Sequence, residues 1–115
     1  MRTGTEINNI INEFADGIKI IFGERLVDII LFGSYARGDY ENGSDVDIAI
    51  LADIRREEEK LFTNDIITLI SEIDIKFNYT VLLSPILISN DFYVEWRETI
   101  PFYQALLNEG VGLFA

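Results

Sequence analysis

The sequence predicts an α/β (α+β) domain, a small mixed β-sheet with flanking helices. Three observations lead there. Apolar residues first recur at helical spacing, then gather in two short Ile- and Val-rich runs either side of a glycine-studded loop, then return to helical spacing. Helices that alternate with short strands pack around a mixed sheet. At 115 residues the chain has room for one core, so residues 1–115 are expected to form a single domain. Its 49% hydrophobic and 25% charged content excludes a disordered chain.

Taken in order, Ile7, Ile10, Ile11, Phe14, Ile18, Ile21 and Phe22 form the stripe of an amphipathic helix, which Gly23 is placed to end. Leu26 to Phe32 reads as a strand, with Asp28 near its start. Gly33 to Ser44 holds three glycines and is expected to be a loop with at most one helical turn. Asp45 to Leu51 is a second strand, with Asp45, Asp47, Ala49 and Leu51 on one face. Asp53 is placed to cap a long helix whose buried stripe would be Leu61, Phe62, Ile66, Leu69, Ile70 and Ile73. Lys76 to Leu83 alternates polar and apolar residues and is expected to be a third strand, interrupted by Pro85. Asn90 to Glu98 and Phe102 to Glu109 read as short helices, the second opened by Pro101 and closed by Gly110.

Nine basic against 20 acidic residues give a net charge of −11. Such a surface repels nucleic-acid phosphates, and no basic stripe offsets it, since Arg55 and Arg56 run straight into Glu57, Glu58 and Glu59. Direct nucleic-acid binding is therefore not expected; a basic partner, or a small nucleotide held through metal, suits the charge. With neither cysteine nor histidine, any metal site must be lined by oxygen, which favours Mg²⁺ over zinc. No signal peptide and no membrane span is expected, and the cytoplasm is the default location.

Gly33-Ser34-Tyr35-Ala36-Arg37-Gly38, followed by Ser44-Asp45-Val46-Asp47, carries the chemistry. Gly33 directly follows a buried strand, where the lack of a Cβ lets a ligand approach the backbone. Ser34 offers a hydroxyl and an N–H to a phosphate oxygen. Asp45 and Asp47 project from one strand face, and a divalent cation relieves the repulsion between their charges. Taken alone, a Gly-Ser pair is commonly only a turn and an Asp-x-Asp only a solvated strand face. Asp47, however, lies inside an otherwise apolar strand, where an unpaired charge is costly. Arg37 is either a phosphate neutraliser or a solvated loop residue, and Tyr35 is expected to pack.

Gly33-Ser34, ten intervening residues and Asp45-x-Asp47 resemble the signature of the DNA polymerase β nucleotidyltransferase superfamily. The fuller motif looks like its minimal (MNT) members, and Pro101 to Val111 resembles the tail of some of them. The resemblance implies a polymerase β-like fold that binds ATP and Mg²⁺. Ser34 would hold phosphate, with Gly33 and Arg37 beside it, and Asp45 and Asp47 would be the catalytic carboxylates and metal ligands. It also implies AMP transfer to a HEPN-type protein partner, in a toxin–antitoxin pair. Active members carry a third carboxylate on a neighbouring strand, whereas Lys76 to Leu83 has none. Thr80 or Asn78 is expected at that position, with Asp74 a substitute only if the strand begins earlier. Two classes thus stay open: an adenylyltransferase, and a nucleotidyltransferase-fold module that inhibits its partner by binding. Self-association as a homo-oligomer stays open too.

Overall fold

The computed structural model describes residues 4–41, 43 and 45–114, with Gly4 and Thr5 described by backbone alone. Ser44 of the motif lies outside the described residues.

Helix α1 spans Gly4–Phe22. Its expected stripe is buried: Ile7, Ile10, Ile11, Phe14, Ile18 and Phe22 all face the core, joined by Ala15. Each such Ile or Phe contributes about 1.5–3 kcal/mol of burial relative to an exposed position. A short 3₁₀ turn, Gly23–Arg25, leads into β1, Leu26–Phe32. Gly33–Arg37 forms a one-turn helix, α2, and β2 runs Val46–Ala52, one residue later than the sequence suggested, so Asp45 immediately precedes it. After a second 3₁₀ turn at Arg56–Glu58, α3 occupies Glu59–Lys76. Strand β3 is Leu83–Ser89, followed by α4 (Asn90–Trp96), α5 (Pro101–Glu109) and a two-residue strand β4, Val111–Gly112.

The sheet order is β3-β2-β1-β4. β1 lies antiparallel to both β2 and β4, whereas β2 and β3 are parallel, with α3 as the crossover between them. Helices α1 and α3 cover one face, meeting Ile29, Val46, Ile48, Ile50 and Leu83. Tyr93 of α4 and Leu106 of α5 cover the other, over Ile30, Ala49, Leu51 and Ile88. Central β2 is thus buried on both sides, which explains its nearly continuous apolar run. Asp47 alone in that strand is not buried.

Four expectations need correction. Lys76 to Leu83 is not a strand: Lys76 ends α3, and Asn78 and Tyr79 take left-handed backbone (φ 54° and 55°) in the turn that follows. Thr80 donates its hydroxyl to the Phe77 carbonyl in that turn. Pro85 does not interrupt a strand either but sits within β3, which an edge position tolerates. Asp53 does not cap α3. Glu58 does the local work instead, accepting from the Arg55 N–H at 2.9 Å and from Arg25 in a two-pronged ion pair, 2.7 Å at Nη1. Leu61 lies five positions before Ile66, on another face of α3, and turns outward at 69% exposure, while Ile66 and Ile73 are buried as expected.

Candidate functional site

The antiparallel register pairs Phe32, the last residue of β1, with Asp47. The chain then turns at Gly33, whose φ of +73° suits glycine, into α2. This turn folds back onto β2 so closely that a Cβ on Gly33 would lie 2.3 Å from the Asp47 carboxylate oxygen Oδ2. Two of the motif residues are therefore in direct contact, and a side chain at position 33 would have to displace the carboxylate.

Asp47 is half-buried, and neither Asp45 nor Asp47 accepts a hydrogen bond from a described residue. Burial pushes the Asp47 carboxyl above the ordinary carboxylate range; the charge of Asp45 adds to the shift and Arg37 opposes it. Arg37 itself pairs with Asp39 at 3.2 Å across an exposed surface. Ser34 is half-buried in α2, and its carbonyl accepts from the N–H groups of Gly38 (2.9 Å) and Asp39 (3.1 Å). Tyr35 stacks on Tyr40 with ring centroids 4.2 Å apart and packs on the α1–α3 core, as a packing residue should.

Among the described residues no group of three or more acidic side chains gathers to hold a metal. A carboxylate pair that accepts no hydrogen bond from a described residue, one member half-buried against Gly33, nevertheless fits Mg²⁺. That ion commonly takes one or two carboxylates and fills its shell with water and substrate phosphates.

The third strand brings an unforeseen neighbour. In the parallel register Asp47 is paired with Ser84, so the position beside it belongs to a serine, and neither Thr80 nor Asn78 reaches it. Strand β3 contains no Asp or Glu, and Asp74 lies in α3. No sequence signal fixed this pairing, which depends on where the parallel crossover ends.

Further along the same sheet face, a cleft of about 520 Å³ runs beside β3. It is walled by Ile86, Ile88, Phe92, Phe102 and Tyr103, with Arg56 and Glu59 at one end. Phe102 also meets Phe32 edge-on at 5.4 Å, which links the wall of the cleft to the Asp47 row.

The profile of the nucleotidyltransferase domain matches residues 11–95, well over half of the chain and the whole of the Gly33–Asp47 region. The chain belongs to the nucleotidyltransferase domain family. Among relatives of this nucleotidyltransferase domain is a candidate protein adenylyltransferase of Methanocaldococcus jannaschii, 38% identical over 101 residues, covering 85% of this chain and 95% of the relative. A second candidate protein adenylyltransferase of the same organism is 39% identical over 85 residues, covering 71% of this chain and 54% of its own length. The crystal structure of a candidate nucleotidyltransferase from Sulfolobus solfataricus superposes with a TM-score of 0.54 at 17% identity, over 98% of this chain and 89% of that one. That likeness concerns the fold, and it agrees with the mixed sheet and flanking helices described above.

Proposed function

We propose that this nucleotidyltransferase domain binds ATP with Mg²⁺ at Gly33, Ser34, Asp45 and Asp47 and transfers AMP to a hydroxyl of a protein partner. The observation that carries the reading is the contact of the Gly33 turn with the half-buried Asp47 carboxylate. It sets the backbone of the Gly33 turn directly beside the carboxylate of the Asp45–Asp47 pair. The relatives described as candidate protein adenylyltransferases support the choice of reaction.

In this reading Ser34 and the Gly33 backbone hold the β- and γ-phosphates, and Arg37 adds positive charge at the rim. Asp45 and Asp47 would hold the Mg²⁺, which, when bound, neutralises the triphosphate and makes its α-phosphorus more electrophilic. The acceptor oxygen bonds to that phosphorus, the bond to pyrophosphate breaks, and the hydroxyl proton passes to water, because β3 offers no carboxylate. No described helix is long and apolar enough to cross a membrane, and the reading sets the reaction in the cytoplasm, where ATP is at hand. The partner fits a basic HEPN-type protein, neutralised as the toxin of a toxin–antitoxin pair; a surface of net charge −11 favours such an encounter.

The test is incubation with labelled ATP, Mg²⁺ and a purified HEPN-type partner. Label in the partner, lost with Asp47→Asn, is the expected result. Ser84 beside Asp47 favours a second reading, a module that inhibits by binding alone. Partner inhibition that survives both Asp47→Asn and the removal of ATP would establish that reading in place of the first.

A further inference from the structure

We propose that the cleft along β3 is the groove that receives the acceptor protein, taking an apolar segment flanked by basic residues so that its hydroxyl arrives over Ser84. The proposal rests on the nucleotidyl-transfer reading and deepens it by naming the surface the partner uses.

In-line displacement at phosphorus places the incoming and leaving oxygens on opposite sides of the reacting atom. The leaving pyrophosphate is assigned to the Gly33–Ser34 turn at the end of β1, on one side of Asp47. The other side of Asp47 is β3, where Ser84 is its registered neighbour. Because β3 is an edge strand, no further strand of the sheet covers that side. Ser84, Ile86 and Ile88 alternate onto one face, so the apolar floor begins two residues, about 6–7 Å, beyond Ser84.

The lining suits a polypeptide more than a phosphate. Ile86 of β3 is 41% exposed and Phe92 of α4 is 47% exposed. Trp96 stands beside Phe92 with ring centroids 6.2 Å apart and is itself 39% exposed, extending the apolar wall. The charged side chains in the cleft lining are one of each sign, Arg56 and Glu59, while the chain as a whole carries a net charge of −11. An apolar floor on a chain of net charge −11 matches a basic, amphipathic segment better than a free nucleotide tail. Continuity with the Asp47 row through the Phe32–Phe102 contact joins this groove to the chemistry.

The experiment uses the full chain and the purified HEPN-type partner as acceptor. Phe92→Ala, on the exposed side of α4, is expected to raise the KM for the partner about tenfold while leaving kcat within a factor of two. The affinity for Mg·ATP, measured separately by titration, should not change. As a contact readout independent of activity, Phe92→p-benzoylphenylalanine is irradiated with the partner, and the same replacement at Ile20, exposed on α1, serves as control. Crosslinks from position 92, mapping to the segment around the modified hydroxyl, support the proposal. An unchanged KM, or crosslinks from position 20 alone, would overturn it. A parallel loss of ATP affinity in Phe92→Ala would give the groove to the nucleobase. Concentration-dependent self-association of the wild type that Phe92→Ala abolishes would give it to a second copy. Either outcome overturns the proposal. If wild type transfers no AMP at all while position 92 still crosslinks to the partner, the transfer reading fails and the docking surface survives.

Discussion

Gly33→Ala separates backbone strain from the contact that builds the site. Forcing a residue with a Cβ into left-handed backbone costs about 1–2 kcal/mol. The Cβ would also stand 2.3 Å from Asp47 Oδ2, so the carboxylate must swing away; an off-rotamer side chain adds about 0.5–1.5 kcal/mol. The expected loss is therefore about 2–3 kcal/mol, a melting temperature lower by roughly 10 °C for a domain of this size. Gly23→Ala is the control, because its φ is +55° but no atom lies within 4 Å of the added Cβ. It should lose only the left-handed part, roughly 4–8 °C, and keep Mg-dependent ATP binding. Both variants reduce unfolded-state freedom equally, so their difference reports the Asp47 contact. Thermal melts with and without Mg·ATP read both quantities. A Gly33→Ala protein no less stable than Gly23→Ala, and still stabilised by Mg·ATP, would refute the close approach as the basis of the site.

Three further outcomes are expected. Asp47→Asn should abolish the thermal shift given by Mg·ATP while slightly stabilising the ligand-free protein at pH 7. Its raised folded-state pKa means that the charged form costs stability as pH rises above the ordinary carboxylate range, so this gain should vanish near pH 3 in urea melts. Ser84→Asp should tighten Mn²⁺ binding measured by titration and destabilise the metal-free fold through repulsion with Asp47; unchanged metal affinity would count against the register. Glu58→Gln should lower the urea midpoint at pH 7. The Arg25 hydrogen bonds hold the Glu58 carboxyl down to about 2, so the stabilisation is full above the ordinary carboxylate range and fades as pH falls through about 2. The gap between wild type and variant should accordingly narrow in acid.

Elements governed by local pattern were legible in the sequence. The α1 stripe and the bounds of β1 follow from period and punctuation alone, and Pro101 and Gly110 mark the ends of α5. The third strand was not legible, because two local signals misled together. Lys76 to Val81 alternates like a strand but consists of a helix end and a left-handed turn. Pro85 looks like a breaker unless one knows that β3 is an edge, a fact of sheet order that no window contains. The same error hid Ser84, since a parallel register is set by how far the α3 crossover carries the chain. In the candidate site, Gly33, Ser34, Asp45 and Asp47 lie close enough in sequence to be read as a group. Their contact distance, and the cleft built from β3, α4 and α5, come only from tertiary packing.

Pro85 has one more consequence. A sheet margin with free main-chain groups is a template on which further strands add, and long flat margins lead to fibres. One margin here is formed by the two-residue β4, too short to template anything. The other is interrupted by Pro85, whose nitrogen has no hydrogen to give a newcomer. Neither margin thus offers a chain nearly half hydrophobic a long, flat edge on which further strands could add. A partner docking beside β3 finds one main-chain donor fewer there, so side chains, which differ between partners, carry more of the recognition.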